Sequence, residues 1–283
     1  MPLSKAWEGV MTVAAELQAD QRPEAWDDHV SLYEEVFEPL SVAFMQAAAA
    51  RLEPMPGMEI LDVAAGAGGG ALALARNGAA VTAVDASPRM VARMRHRAEA
   101  LGLPLDTRVM DGMRLNLPDE AFDAALSVFG VILFPDAVRG LEEMRRVVRP
   151  GGRIAVVTWT QPHRYELAAH LREAIAGLGV GGASPATLPA QLRFVQPDAF
   201  RHLFAQAGLE QIELVTVEAA MPAPSAHWLA ERIRFAPGMA AWMASLGDRE
   251  REAREALIVS LEREHGPGPL SLGATAMIGI ARV

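Results

Sequence analysis

Residues 58–74 read MEILDVAAGAGGGALAL, an apolar run followed by a glycine cluster and an alanine- and leucine-rich segment. This pattern predicts a buried strand, a tight turn and a helix. Because glycine has no Cβ, a ligand can lie directly against the backbone of the turn. The first N–H groups of a helix have no partner inside it, so they are expected to face that ligand. The glycine turn is therefore the first candidate site.

The turn alone leaves the ligand open. Residues 66–71 (GAGGGA) fit the G-x-G-x-x-A form of the dinucleotide-binding fingerprint. Asp85 ends the next predicted strand, about 20 residues after the turn, where an acid commonly binds ribose hydroxyls. The adjacent Ser87 and Pro88 are typical of a helix start. A nucleoside-containing ligand is therefore expected.

Composition limits the class of protein. The chain has 283 residues, of which 51% are hydrophobic, and a net charge of −9. An acidic surface repels phosphate backbones, which disfavours nucleic-acid binding. The absence of cysteine excludes disulfides and thiolate metal sites. No apolar run is long enough to span a membrane and no N-terminal signal region is visible, so a soluble, cytoplasmic protein is expected.

Strand and helix patterns alternate along the chain. Strands are predicted within 58–63 and at 80–84, 107–110, 122–128, 153–159, 211–217 and 275–283. Helices are predicted at 69–77, 87–101, 136–148, 165–178 and 197–208, and residues 226–265 are predicted as helical, including 228–235 and 248–265. This alternation favours a parallel sheet with helices on both faces, which binds ligands at the carboxyl ends of its strands. Residues expected near those ends are Asp62, Gly66, Asp85, Asp111, Ser127 and Trp159.

Further helical segments flank the sheet. Residues 4–19 and 25–51 are predicted as helices, with a break or kink near Pro39. The second segment is either an amphipathic helix covering the sheet or a lid with Trp26, His29 and Tyr33 facing the ligand. We expect a lid at 1–51 and a main domain at 52–283 that carries a helical insertion at about 222–268. The charged run 248–255 is expected to form a solvated helix face.

The motifs together resemble the class I S-adenosylmethionine-dependent methyltransferases, especially the small-molecule group of ubiquinone and menaquinone biosynthesis. Residues 60–68 (ILDVAAGAG) resemble the family's first motif, with Ala64 in place of its first glycine. Residues 84–87 (VDAS), 110–113 (MDGM) and 147–154 (VVRPGGRI) are similar to its later motifs. The resemblance implies a doubly wound, Rossmann-like α/β fold with seven mostly parallel strands and an antiparallel last strand, plus helical cap elements.

The resemblance also implies S-adenosylmethionine as cofactor. Asp85 would accept hydrogen bonds from the ribose hydroxyls and Asp111 from the adenine amino group. Asp62 would hold the ammonium group through water, while Phe129 would face the sulfonium. The cofactor-binding residues expected are Asp62, Ala64, Ala65, Gly66, Gly68, Asp85, Ala86, Met90, Asp111, Gly112, Met113, Ser127 and Phe129.

The implied reaction is in-line methyl transfer to an oxygen, nitrogen or carbon nucleophile of a small-molecule acceptor, in which positioning dominates catalysis. Candidates for proton transfer are His163, His29 and Tyr33. No metal is expected, because the segments after the fourth and fifth strands carry no carboxylate cluster. Two alternatives remain: a dinucleotide-binding protein, and a non-methylating protein that binds the same cofactor, such as a cyclase or regulatory subunit. The oligomeric state is not predicted.

Overall fold

A computed structural model describes residues 16–179 and 188–283. Within these ranges seven strands form one sheet in the order β3-β2-β1-β4-β5-β7-β6. The strands are β1 (Glu59–Val63), β2 (Ala80–Asp85), β3 (Leu105–Val109), β4 (Phe122–Val128), β5 (Val148–Trp159), β6 (Glu210–Ala223) and β7 (Leu270–Arg282). The first five are parallel, and β7 runs antiparallel between β5 and β6. The predicted doubly wound sheet with an antiparallel last strand is confirmed.

Helices cover both faces of the sheet. In the described residues they are α1 (Pro23–Asp27), α2 (Val30–Leu32), α3 (Glu38–Leu52), α4 (Gly69–Arg76), α5 (Pro88–Ala100), α6 (Ala137–Val147), α7 (Glu166–Gly177), α8 (Pro197–Gln206), α9 (Ala226–Glu231), α10 (Pro237–Ala244) and α11 (Glu250–His265). Along β1, Ile60 joins one buried apolar cluster and its neighbour Leu61 joins another. Helices α3, α4 and α5 pack on the first face, and α6 and α8 pack on the second. None of these helices is both long and apolar enough to cross a membrane.

The N-terminal segment differs from its prediction. Most of the helix predicted at 4–19 lies outside the described residues, and a short 3-10 turn occupies Ala19–Gln21. The helix predicted at 25–51 is divided, because a π-helical turn at Tyr33–Phe37 separates α2 from α3. Pro39 stands in the first turn of α3, where its missing N–H has no intrahelical acceptor in any case. The interruption therefore precedes the proline.

The last three strands are longer than predicted. β5 begins at Val148, where it pairs with Phe122, whereas the strand was predicted to begin at residue 153. A Cβ on Gly152 would lie 2.6 Å from the carbonyl oxygen of Asp123, so this extension requires glycine. The ladder between β6 and β7 continues to the pair Ala223–Leu270. The helices α9, α10 and α11 follow β6 and precede β7 in the chain.

Candidate functional site

The glycine turn after β1 contains three residues in the left-handed backbone region. Their φ angles are 59° at Ala64, 58° at Gly66 and 89° at Gly68. The turn is held by a hydrogen bond in which the Ala65 N–H donates to the Val84 carbonyl at 3.0 Å. Glycine adopts this conformation freely, whereas a residue with a Cβ loses roughly 1–2 kcal/mol there. Ala64 therefore carries backbone strain beside the ligand site.

Replacing Ala64 by glycine is expected to leave the protein at least as stable as the wild type. The release of left-handed strain, about 1–2 kcal/mol, exceeds the entropic cost of a new glycine, about 0.4–1 kcal/mol. The matched control is Ala67→Gly, since Ala67 is buried and has no positive φ; it is expected to lose about 1 kcal/mol or more. Urea unfolding of both variants tests this. A less stable Ala64→Gly variant contradicts the strain argument.

Phe129 is a second strained residue, just beyond the end of β4. Its φ is also 59°, and its ring stacks on Trp159 with the ring centres 4.2 Å apart. The ring centre of Phe37, in the π-helical turn, lies 5.9 Å from the ring centre of Phe129 and 6.0 Å from that of Trp159. Strained backbone of this kind concentrates at functional sites. The contact between the rings of Phe37 and Phe129 also joins the N-terminal segment to the end of β4.

A cavity opens at the carboxyl ends of the parallel strands, as expected for this sheet type. Its walls come from the glycine turn, the ends of β2, β3 and β4, and the N-terminal segment. The lining residues are Asp20, Gln21, Pro23, Trp26, Tyr33, Phe37, Ala64, Gly66, Asp85, Ala86, Met90, Met110, Asp111, Gly112, Met113, Val128, Phe129, Gly130, Leu133, Phe134 and Pro135. Most are apolar, and the polar side chains are mainly carboxylic.

The cavity collects most of the residues expected to bind the cofactor. Those that line it are Ala64, Gly66, Asp85, Ala86, Met90, Asp111, Gly112, Met113 and Phe129. Asp62, Ala65, Gly68 and Ser127 are absent from its lining. A Cβ on Gly68 would lie 2.4 Å from Met94, so this glycine admits the side chain of α5. The Ser127 hydroxyl donates to the Val63 carbonyl at 2.8 Å and accepts from the Val131 N–H, which ties the end of β4 to β1.

Asp85 is held by the backbone around it. Its carboxylate accepts the Gly66 N–H at 2.9 Å and the Ser87 N–H at 2.9 Å. Burial raises the pKa of Asp85, and these two hydrogen bonds oppose the rise by favouring the charged form. Each oxygen keeps a free lone pair, because a carboxylate oxygen can accept two hydrogen bonds. Asp85 therefore links the glycine turn to β2 and can still accept hydrogen bonds from a diol.

Asp62 is a buried carboxyl group behind the same turn, with 4% of its surface exposed. Burial, with a further contribution from the charge of Asp85, raises the pKa of Asp62 to about 7. Neither aspartate is paired with a lysine or arginine in the part of the chain that the structure describes. Two neighbouring unpaired carboxyl groups repel each other, and a cation placed beside them relieves that cost.

Glu38 is a site residue that the sequence analysis missed. It accepts the Gly69 N–H at the start of α4 at 3.0 Å, and it pairs with Arg97 at 2.8 Å. The helix N-terminus expected to face the ligand is therefore bonded to the protein's own carboxylate. A pyrophosphate at this position would lack the Gly69 N–H donor, because Glu38 already accepts it. This arrangement disfavours the dinucleotide alternative.

The N-terminal segment is joined to α5 by a row of polar contacts. Three arginines of α5, spaced four residues apart, pair with acidic residues that precede or begin α3. The pairs are Arg89 with Asp28, Arg93 with Glu34, and Arg97 with Glu38, and the Ser87 hydroxyl donates to Asp27 at 2.5 Å. The spacing places the arginines on one face of α5. This row fixes the N-terminal segment over the cavity.

The three candidates for proton transfer lie in different places. Tyr33 lines the cavity, and its ring lies 3.1–3.3 Å from the position of a Cβ on Gly66. Burial raises the pKa of Tyr33, so its phenol stays protonated near neutral pH. The Nδ1–H of His29 donates to the Ala25 carbonyl at 2.7 Å, and His29 does not line the cavity. His163 lines a second concavity that shares no residue with the first.

Comparison with known proteins identifies the family of this chain. A family model described as a methyltransferase domain matches residues 61–156. Over 136 residues the chain is 38% identical to an uncharacterized protein of Mycobacterium tuberculosis, covering 48% of each chain. The chain thus spans about half the length of that relative. Over 177 residues it is 35% identical to a demethylmenaquinone methyltransferase of Thermus thermophilus, covering 58% of this chain and 80% of the relative.

Among solved structures, the YcgJ protein of Bacillus subtilis matches with a TM-score of 0.55 and 22% identity. The match covers 86% of this chain and 98% of the YcgJ chain, and it bears on the fold alone. The Thermus relative, matched over four-fifths of its length, bears on the family. The chain therefore belongs to the class I S-adenosylmethionine-dependent methyltransferases.

Proposed function

We propose that the cavity binds S-adenosylmethionine and that the protein transfers its methyl group to a small, apolar acceptor. The observation that supports this most strongly is the pair of unpaired carboxyl groups, Asp62 and Asp85, at the glycine turn. S-adenosylmethionine carries a sulfonium and an ammonium group, so it brings positive charge to this place. NAD would instead bring a pyrophosphate, which the two aspartates repel and for which the Gly69 N–H is already engaged by Glu38.

Each part of the cofactor is proposed to contact different residues of the site. Asp85 is proposed to bind the ribose hydroxyls and Asp111 the adenine, with Met113 against the ring. The turn at Ala64 and Gly66 is proposed to receive the methionine portion, and Asp62 to balance its ammonium charge. Tyr33 lies against Gly66, so the entry of that portion requires its ring to shift.

The acceptor is proposed to be a planar, apolar molecule. The part of the cavity away from the aspartates is lined by aromatic and aliphatic side chains, among them Trp26, Phe37, Phe129, Leu133 and Phe134. Such walls bind flat apolar rings through area burial and ring stacking. The name of the Thermus relative, a demethylmenaquinone methyltransferase, supports an acceptor of this kind.

Catalysis is proposed to rest on positioning. The cofactor supplies an activated methyl group on a sulfonium, whose departure leaves a neutral thioether. The protein then has to align the acceptor and exclude water, which the aromatic walls and the N-terminal segment are placed to do. Among the described residues no histidine lines the cavity. The protonated Tyr33 phenol can donate a hydrogen bond that orients an acceptor oxygen.

These roles predict opposite outcomes for two variants. His163→Ala is expected to keep wild-type turnover, because His163 lies outside the cavity. Tyr33→Phe keeps the ring and loses the donor, so it is expected to lower kcat about 2–10-fold, the value of one hydrogen bond, with little change in cofactor affinity. Steady-state kinetics with each variant tests both. A large loss of turnover in His163→Ala would contradict this placement and would support a role for His163 in proton transfer.

The function itself is tested by incubating the protein with methyl-labelled S-adenosylmethionine and a panel of hydroxylated and quinonoid aromatic compounds. We expect label in one of these acceptors together with an equal amount of S-adenosylhomocysteine. Turnover of an acceptor without any S-adenosylhomocysteine would contradict methyl transfer and favour the non-methylating alternative. Label confined to charged, hydrophilic acceptors would contradict the apolar assignment.

A further inference from the structure

Four metal-ligand side chains meet between α7 and α11, outside the cofactor cavity. Glu166 and His170 lie one turn apart on α7, and Glu264 and His265 end α11. One ligand atom from each lies within 4.8 Å of the others. We call these four residues the α7–α11 cluster. None of them lines the cofactor cavity, so the cluster is a separate feature of the molecule.

The distances in the cluster are those of ligands around one small ion. His265 Nε2 lies 2.8 Å from Glu166 Oε1. His170 Nε2 lies 3.9 Å from the same oxygen and 3.5 Å from Glu264 Oε2. In a tetrahedral zinc site with bonds of about 2.0–2.2 Å, neighbouring ligand atoms lie about 3.3 Å apart. The three separations in the cluster, 2.8, 3.5 and 3.9 Å, lie on both sides of that value.

One histidine nitrogen of the cluster has a carboxylate oxygen nearby and yet makes no hydrogen bond to it. His265 Nε2 is buried and, in the described part of the chain, has no hydrogen-bond partner, although Glu166 Oε1 is only 2.8 Å away. The ring therefore does not aim at that oxygen. An ion bound by both atoms, to one side of the line that joins them, would explain the orientation of the ring.

The surroundings of the cluster orient its ligands. His170 has 5% of its surface exposed, and its Nδ1 hydrogen-bonds the Ser260 hydroxyl at 2.8 Å. This contact leaves Nε2 as the nitrogen that faces the cluster. The second oxygen of Glu166 accepts the Gly273 N–H at 2.5 Å. Such outer contacts are typical of metal sites, where they fix the tautomer of a histidine and the direction of a carboxylate.

We propose that the α7–α11 cluster binds one divalent transition-metal ion of the zinc type through four protein ligands. Two imidazoles and two carboxylates suit zinc, whereas magnesium and calcium favour ligand sets made only of oxygen. The two carboxylates also neutralise the ion. Four protein ligands leave no position for a substrate, so the role is structural. The ion joins α7 to α11, which pack against each other in the fold.

This site is distinct from the methyl-transfer cavity, for which the sequence predicts no metal. A second concavity borders the cluster, and Glu166 and Glu264 belong to both. An ion can therefore reach the ligands from solvent without unfolding of the helices. The proposal does not depend on the proposed function, because a zinc-binding measurement requires neither cofactor nor acceptor.

The test uses tag-free protein stripped with a chelator and titrated with zinc chloride in a calorimeter. We expect one saturable site, and a thermal midpoint that rises with zinc concentration, since an ion that binds only the folded state stabilises it. His265→Gln is expected to weaken zinc binding at least tenfold, because it removes a ligand. Magnesium chloride at the same concentration is expected to leave the midpoint unchanged.

The matched control is His227→Gln. His227 also pairs with a carboxylate, Glu262 at 3.3 Å, but its side chain is 67% exposed and it lies outside the cluster. This variant is expected to bind zinc as the wild type does. Glu264→Gln, at a side chain that is 60% exposed, supplies a second test if His265→Gln does not fold. Absence of saturable binding in the wild type, equal affinity in a cluster variant, or an equal response to magnesium would overturn the proposal.

Discussion

Asp62→Asn is expected to stabilise the cofactor-free protein above pH 7 and, at the same time, to weaken cofactor binding. In the folded protein, burial first and Asp85 second raise the pKa of Asp62 from 3.8 to about 7. The folded state therefore holds the proton more tightly than the unfolded state does. The stability that this proton gives is complete below pH 3.8 and is lost as the pH rises through about 7.

The size of the effect follows from the same shift. Each pKa unit corresponds to about 1.4 kcal/mol, so the ionised Asp62 lowers the free energy of unfolding by up to about 4 kcal/mol at about pH 8. Relaxation and water penetration reduce such costs, and we expect a gain of about 1–3 kcal/mol for Asp62→Asn at that pH. Near the ordinary pKa of an aspartate, both proteins carry a neutral side chain and the gain is expected to vanish.

Urea unfolding across the pH range measures this gain. The control is Asp248→Asn, at an exposed aspartate in the turn before α11, which is expected to change stability little at any pH. Cofactor affinity of the wild type is expected to fall as the pH drops below about 7, since a protonated Asp62 offers no charge to the ammonium group. An Asp62→Asn variant that is less stable than the wild type at about pH 8 would contradict the claim that the ionised Asp62 destabilises the folded protein.

Asp85→Ala is expected to weaken S-adenosylmethionine binding about 100-fold or more. Two hydrogen bonds from ribose hydroxyls to a carboxylate are each worth about 1.5 kcal/mol or more. The substitution is also expected to destabilise the fold, because Asp85 accepts the N–H groups of Gly66 and Ser87. The end of β2 is therefore tied to the glycine turn, and Asp85 is more than a ligand contact.

Asp85→Asn separates the two effects, since its amide oxygen still accepts a hydrogen bond. It is expected to retain more stability than the alanine variant and to lose most of the cofactor affinity, because the amide carries no charge and has one acceptor atom. Calorimetric titration measures the affinity and urea unfolding the stability. Unchanged cofactor affinity in both variants would contradict the proposal that Asp85 binds the ribose hydroxyls, even if both variants were destabilised.

The central part of the fold is predictable because its signals are local. The apolar run of β1, the glycines that follow it and the leucines of α4 lie within 20 residues, and each supports the same strand–turn–helix unit. Ser87 begins α5 as predicted, with its hydroxyl accepting the Met90 N–H. The starts of β5 and β7 were less predictable, because these limits depend on pairing between distant strands.

The site residues that sequence reasoning missed depend on contacts between distant parts of the chain. Glu38 reaches the start of α4 from 31 residues earlier, and nothing in its own neighbourhood marks it as a capping group. Gly68 was expected to face the cofactor, but a glycine alone does not indicate which neighbour approaches it; here the neighbour is Met94. Ser127 was placed correctly at the end of β4, yet its hydroxyl bonds to Val63 and Val131 and does not line the cavity.

The most direct measurement is a calorimetric titration of the purified protein with S-adenosylmethionine, S-adenosylhomocysteine and NAD in parallel at about pH 8, where Asp62 is ionised. The two unpaired carboxyl groups predict that both sulfur nucleosides bind and that NAD does not bind. Both sulfur nucleosides are expected to lose affinity on acidification, because each carries the ammonium group that Asp62 balances. Binding of NAD alone would contradict the account, because it would place a pyrophosphate beside Glu38, Asp62 and Asp85.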